Sequence, residues 1–368
     1  MMWRRVNRHT KHTLYNNMSS ELKSVLEDGP IEGEPLVSVC VITYNHGKYI
    51  RQCLDGILMQ KVNFPYEILI HDDASPDDTA DIIREYWEKY PTVIKPILRE
   101  ENQYSKGVDV SRFNFDRAKA KYIAQCEGDD YWMDDGKLQM QVDFLENYKE
   151  YSATSHSYVV VDSEGMLVPN TEIISNISGV FSKDDIKYYR LPGATATLVY
   201  RNIFSEMDRV ARNSYYACAG YGDQKTAALL TMYGNIQKLP NIMSAYRYVT
   251  TKGTSYSALT KGKNLYGGNY QYLVDINNFS QDNFGVKLDT EIAAFCIMLM
   301  AIKKWILSPS RENRDVLWKI HIKNIENPHY LKSMIKKIAL HPSTSVYIMK
   351  TIYSESKVIR YVLANTGC

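Results

Sequence analysis

A chain of 368 residues with 45% hydrophobic and 23% charged residues has room for one large α/β domain plus a smaller addition, and its composition excludes a largely disordered or fibrous protein. The formal net charge of +2 is unevenly spread: residues 301–368 hold 12 Lys/Arg against 4 Asp/Glu, which leaves 32 against 38 in residues 1–300. Six cysteines without a Cys-x-x-Cys, a polar N-terminus lacking the apolar core of a secretory signal, and no apolar run near the ~20 residues that span a bilayer predict a cytoplasmic chain without a transmembrane segment.

In chain order, residues 1–35 lack a sustained period and end in a Gly/Pro/Glu-rich stretch, which predicts a flexible leader. Val37 to Thr43 is a β-branched apolar run, the pattern of a strand buried on both faces of a parallel sheet. Gly47 to Gln60 has helical apolar spacing, Tyr66 to Ile70 reads as a strand, and Asp77 to Tyr90 as a helix opened by Ser75-Pro76-Asp77. Val93 to Leu98 and Tyr122 to Cys126 are further strands, and Lys137 to Tyr148 a further helix. Such alternation predicts a doubly wound parallel sheet whose ligands bind beyond the strands' carboxyl ends.

After residue 151 the pattern is mixed, with strands near Ser157 to Val161, Ala194 to Tyr200 and 235–248 and helices near 202–212 and 223–233. From about residue 261 it is helical and increasingly basic. A basic helical tail suits anionic lipid headgroups; solvated helix faces explain it equally well. The 29 tyrosines and 5 tryptophans suit carbohydrate surfaces, and compositional bias is the plainer alternative.

Polar or acidic clusters fall where the strands end. The first strand runs into Thr43-Tyr44-Asn45-His46-Gly47, a turn with donors for a ligand. The second ends in His71-Asp72-Asp73-Ala74-Ser75, where a carboxylate can accept from a nucleobase or ribose. Capping of the next helix accounts for Asp77 or Asp78 without any ligand. The fourth strand delivers Glu127-Gly128-Asp129-Asp130-Tyr131-Trp132. Three carboxylates within four residues repel one another, and hard oxygen ligands select Mg²⁺ or Mn²⁺. A solvated acidic turn is the alternative.

These segments resemble the family 2 glycosyltransferases with the GT-A fold, particularly bacterial members that build surface polysaccharides, over roughly residues 36–250. Val37 to Asn45 match the family's opening Val-Ser-Val-x-Ile-x-Thr-Tyr-Asn, and Asp72, Asp73 and Ser75 match its nucleoside-reading segment. Glu127 stands where the family's Asp-x-Asp metal motif has its first acid, while Asp129 and Asp130 are kept, so the metal ligands expected are Asp129, as the principal one, and Asp130 beside it, with ligation by the longer Glu127 left open. Gly220-Tyr221-Gly222-Asp223-Gln224 is similar to the segment carrying the catalytic base, which assigns that role to Asp223; capping of the following helix is compatible with it. The family's Tyr-Arg-x-His reads Tyr246-Arg247-Tyr248-Val249 here, leaving Arg247 and Lys252 as candidate cations for the leaving diphosphate. The Gln-x-x-Arg-Trp pattern of processive synthases is absent, which fits a single-addition transferase.

The resemblance thus implies an α/β fold of GT-A type, a Rossmann-like mostly parallel sheet flanked by helices with a C-terminal helical extension. Residues 36–255 would be the catalytic domain, divided into a nucleotide-sugar half at 36–150 and an acceptor half at 151–255, with 256–368 helical. The expected donor-binding residues are Thr43, Tyr44, Asn45, Asp72, Asp73, Glu127, Gly128 and Asp129, with Trp132 and Tyr221 toward the acceptor. Expected partners are a nucleoside-diphosphate sugar, a glycan or lipid-linked acceptor, Mn²⁺ or Mg²⁺, and the inner membrane face through the basic helices; no nucleic acid is expected. The rivals are a non-catalytic sugar-nucleotide-binding subunit of an assembly complex, and a sugar-1-phosphate nucleotidyltransferase. The latter would need a Gly-rich, Arg/Lys-bearing loop where this chain has Tyr44-Asn45-His46.

Overall fold

The computed structural model describes residues 31, 33–169, 179–186, 190–249, 263–308 and 310–320. The chain divides into two compact units, the first formed by residues up to 179 with 193–206 and 237–249, the second by 180–192, 207–236 and the residues from 250 onward.

The first unit is built on a sheet. Its strands include β1 (Val37–Thr43), β2 (Tyr66–Asp72), β3 (Ile94–Leu98), β4 (Tyr122–Glu127), β5 (Tyr131–Trp132), β6 (Tyr151–Val161), β7 (Val199–Arg201) and β8 (Asn235–Arg247), the last beginning two residues before the unit does. They lie in the order β3-β2-β1-β4-β7-β6-β8-β5. Strands β3, β2, β1 and β4 are parallel, as the alternation of strand and helix requires. Beyond β4 the neighbours β7 and β6, and the edge pair β8 and β5, run antiparallel.

Register places the chemistry. Thr43 lies opposite Asp72 across β1 and β2, and Ile42 opposite Glu127 across β1 and β4. The polar turns after β1, β2 and β4 therefore leave the sheet side by side. Helices α1 (Ile50–Leu58), α2 (Thr79–Lys89) and α3 (Lys137–Asn147) belong to this unit. Val39, Val41, Ile50, Leu54, Ile57, Ile68, Ile70, Ala124 and Trp132, each 0% exposed, form the main core with residues of these elements. At about 1.5–3 kcal/mol per buried Val, Leu or Ile side chain, this cluster is what fixes the strand ends. Cys40, Cys53 and Cys126 are buried free thiols within the unit.

The second unit is helical: α4 (Arg209–Ala217), α5 (Gly222–Tyr233), α6 (Tyr266–Phe284), α7 (Glu291–Leu307) and α8 (Arg311–Lys319). Asp208 begins α4 by accepting the Ala211 N–H at 2.8 Å, and Ser310 begins α8 by accepting that of Asn313 at 3.1 Å. Gly220 has φ +104°, and a Cβ there would lie 2.6 Å from the Tyr272 ring of α6, so glycine is what admits this close approach just before α5. Among the described residues no helix is long and apolar enough to cross a membrane.

Sequence and structure differ over β6 and over the segment that follows β7. Strand β6 begins at Tyr151 rather than Ser157, because Ser152, Thr154, Ser155 and His156 are buried in spite of their polarity. The helix expected over 202–212 is a turn at Ile203–Glu206 followed by α4, separated where Asp208 caps.

Gly56 in α1 tests the packing of helix on strand. A Cβ at Gly56 would lie 2.5 Å from the carbonyl oxygen of Trp132 and 3.0 Å from its nitrogen, both rigid backbone. Helix propensity alone favours alanine by about 1 kcal/mol, whereas forcing β5 away costs more. Gly56→Ala should therefore lower unfolding stability by about 1–3 kcal/mol in denaturant titration; a gain would mean that α1 and β5 are not in contact.

Candidate functional site

The turns after β1 and β2 are tied together by backbone donors. The Asn45 N–H donates to Ser75 Oγ at 2.8 Å, the His46 N–H to Thr79 Oγ1 at 2.9 Å and the Gly47 N–H to Asp77 Oδ2 at 2.8 Å. Ser75 in turn donates its hydroxyl and its N–H to the Asp72 carboxylate. Asn45 and Ala74 both sit in the left-handed region, at φ 57° and 63°. Asparagine tolerates that conformation, but at alanine it is strained by about 1 kcal/mol. Each turn is thus held by the other.

Asp72 and Asp73, 1% and 2% exposed, bond within the protein. Burial pushes the Asp72 carboxyl above its ordinary value, opposed by the Ser75 bonds. The Asp73 carboxylate accepts the N–H groups of Gln103 and Tyr104 and faces His71 Nε2 at 3.2 Å, so it anchors the loop after β3. Asp77 accepts the Thr79 N–H at 3.1 Å as well as that of Gly47, which makes it a helix-start residue and a tie to the first loop.

The acidic turn rises beside Thr43 and His46. Gly128 donates its N–H to the Ile42 carbonyl at 2.9 Å, and a Cβ on it would meet Thr43 Oγ1 at 2.5 Å and His46 Nδ1 at 2.9 Å. Glycine is therefore what lets the turn close on the first loop. The side chain of Asp129 is partly open, with Oδ2 3.7 Å from His46 Nε2. Asp130 is 1% exposed; Oδ1 accepts the Arg247 N–H at 2.8 Å, and Oδ2 is buried without a hydrogen-bond partner. Burial, followed by the charges of Asp129 and Glu127, pushes the Asp130 carboxyl well up. Tyr44 is half-buried on the first turn, and Glu127, half-buried, ends β4 with its carbonyl accepting the Asp130 N–H at 3.0 Å. Among the described residues no three His, Cys, Asp or Glu side chains form a ready-made cation cage.

Two of the expected site residues are engaged within the protein. Arg247 was expected to meet the leaving diphosphate, yet it is 3% exposed and its guanidinium donates to the carbonyls of Asp129 and Asp162 and to Gln52 Oε1, each at 2.9 Å. It also stacks on Tyr49, 4.3 Å from the ring centroid. Its charge is used inside the protein, clasping the acidic turn to α1. Trp132, expected toward the acceptor, is 0% exposed: its indole N–H donates to Ala196 O at 3.0 Å and the Lys137 ammonium lies 3.7 Å from its ring centroid. Burial pulls that ammonium down to about 7. Lys252 lies outside the described residues.

In the second unit, Tyr221 is the residue before α5 and Asp223 sits in its first turn, its carboxylate accepting the Gln224 N–H at 2.7 Å. Burial pushes the Asp223 carboxyl above 3.8, against the backbone donors that hold it down. Gln224 faces a small pocket with Phe181, Arg190 and Tyr272.

Residues 38–205 match the model of the Glycosyl transferase family 2. An uncharacterized protein of Mycobacterium tuberculosis, Rv1520, is 41% identical over 131 residues, 35% of this chain and 37% of that protein. The UDP-Glc:alpha-D-GlcNAc-diphosphoundecaprenol beta-1,3-glucosyltransferase WfaP of Escherichia coli is 34% identical over 128 residues, 34% of this chain and 48% of that one. The matched stretch spans no more than about half of these curated relatives. Among solved structures, TarS 1–349 of S. aureus in complex with UDP superimposes with a TM-score of 0.53 at 18% identity, over 77% of this chain and 79% of that one. That likeness is one of fold, the GT-A fold.

The clasp yields a prediction. Lysine cannot make three divergent bonds and stack at once, so Arg247→Lys should lower unfolding stability by about 2–4 kcal/mol. An unchanged thermal midpoint would show that Arg247 does not hold the acidic turn.

Proposed function

We propose that this chain, whose residues 38–205 form a family 2 glycosyltransferase domain, moves a sugar from a nucleoside diphosphate to a hydroxyl of a glycan or lipid-linked acceptor, with inversion at the anomeric carbon. The observation that carries this reading is the convergence at the strand ends. Register and the absence of a Cβ at Gly128 bring Thr43, His46 and Asp129 together beside the tied turns of Asn45 and Ser75.

In this reading the two tied turns and Asp72 and Asp73 shape the nucleoside side of the site, and Tyr44 and Glu127 flank it. Asp129, whose side chain is partly open, is a donor fit for a divalent cation, and Mn²⁺ or Mg²⁺ there would offset the charge of the leaving diphosphate. Asp130 holds the turn from within through the Arg247 N–H. Asp223 takes the proton of the attacking hydroxyl; a carboxyl raised by burial is better matched to that work than an ordinary one. Tyr221 stands toward the acceptor. WfaP's name specifies a diphosphoundecaprenol acceptor, and the excess of 12 Lys/Arg over 4 Asp/Glu in residues 301–368 suits the inner membrane face. Both support a lipid-linked acceptor in surface polysaccharide synthesis.

Asp129→Asn should remove transfer by about three orders of magnitude or more. Asp223→Asn should keep donor affinity while lowering kcat by about 10²–10⁴-fold. A base must be deprotonated to act, so kcat should fall as pH drops through the raised carboxyl pKa, with its acid limb above the 3.8 of an ordinary Asp. Near-wild-type turnover of the Asp129 variant, or an Asp223 variant that loses only donor affinity, would refute the respective assignment.

A further inference from the structure

His46 belongs to no element of the sheet, yet it is among the most tightly placed residues of the site. Its N–H donates to Thr79 Oγ1 at 2.9 Å, and its carbonyl accepts the N–H groups of Tyr49 and Ile50, each at 2.8 Å, where α1 begins. The backbone is therefore fixed on both sides of the ring. The ring itself has two different neighbours. Nδ1 lies 3.2 Å from Thr43 Oγ1, and Nε2 lies 3.7 Å from Asp129 Oδ2. The second distance is too long for a hydrogen bond. Adjacent donors each about 2.1 Å from a shared octahedral cation lie about 3.0 Å apart, so closing the 3.7 Å gap takes a side-chain shift of under about 1 Å. Both side chains are partly open, at 14% and 15% exposure, so a ligand can reach the gap between them.

The geometry points to His46 Nε2 as a second protein ligand, beside Asp129, of the divalent cation that accompanies the nucleoside diphosphate. The assignment rests on the metal reading of Asp129 given above. Thr43 offers the orientation a ligating imidazole needs: in the tautomer whose Nδ1–H donates to Thr43 Oγ1, the lone pair lies on Nε2, toward Asp129. Gly128 supplies the space, since a Cβ would press on Thr43 Oγ1 and His46 Nδ1. A separate sign of a charge expected at this turn is Asp130 Oδ2, a buried carboxylate oxygen without a protein donor next to Asp129. One carboxylate oxygen and one imidazole nitrogen would leave the remaining positions to diphosphate oxygens and water, and the nitrogen suits Mn²⁺ better than Mg²⁺, which is the harder ion and prefers oxygen.

The test uses the full chain with Mn²⁺ and UDP as probes, in wild type, His46→Ala, His46→Gln and Asp129→Asn, with thermal melting to establish that each is folded. Free Mn²⁺ is followed by its electron paramagnetic resonance signal, and ¹⁴N coupling to the bound ion by electron spin echo modulation. Wild type should show ¹⁴N modulation, both His46 variants should lose it, and their Mn²⁺ affinity should fall about tenfold or more. Asp129→Asn should lose Mn²⁺ binding. Wild-type modulation without a ¹⁴N component, or unchanged affinity in the His46 variants while Asp129→Asn loses the ion, overturns the role of His46 alone. If Asp129→Asn binds Mn²⁺ as wild type does, the metal reading of Asp129 fails and this inference with it.

Discussion

The parallel pairing of β1 with β2 on one side and β4 on the other is the constraint from which the site follows. A strand paired on both edges and covered on both faces has no freedom of register, since a slip of one residue would turn Val39 and Val41 out of the core. With register fixed, Thr43, Asp72 and Glu127 reach the sheet's edge nearly level. The polar turns that follow are not independent loops that happen to be near one another.

Electrostatics explains why those turns need so many internal ties. Three carboxylates between Glu127 and Asp130 repel one another, and one of them, Asp130, is taken out of water altogether. The protein offsets this with a backbone N–H on Asp130 and with the Arg247 guanidinium on the carbonyl of Asp129. Arg247 gives up hydration to do so, and the bonds to Asp162 O and Gln52 and the face of Tyr49 replace it. Asp129 stays partly open, with His46 Nε2 3.7 Å from its Oδ2. Strain is accepted at the same edge, where Ala74 adopts a positive φ so that Ser75 can bridge Asn45 and Asp72.

Much of the parallel half of the fold is legible in the sequence, because its strands are apolar runs ending in polar residues. Val37 to Thr43 could be placed to the residue for that reason. The polar strand β6 resisted, since Ser152, Thr154, Ser155 and His156 give no apolar period although all are buried. Side-chain direction was harder still. Trp132 and Arg247 carry the residue types of a ligand surface, but the Ala196 carbonyl that binds the Trp132 indole and the Gln52 amide that binds Arg247, 195 residues away in the chain, have no local signature. His46 was visible as part of a polar turn. Its approach to Asp129 depends on the register of β1 and β4, which a sequence pattern does not contain.

The role proposed for these turns is to hold a sugar nucleotide for transfer. Its most direct measurement is release of nucleoside diphosphate from a panel of sugar nucleotides by the full chain with Mn²⁺, with and without EDTA, and with the anomeric configuration of any product determined. Release from at least one donor, its loss in EDTA, and a product inverted relative to the donor are expected. A retained anomeric configuration, or release that EDTA leaves unchanged, would contradict the proposal.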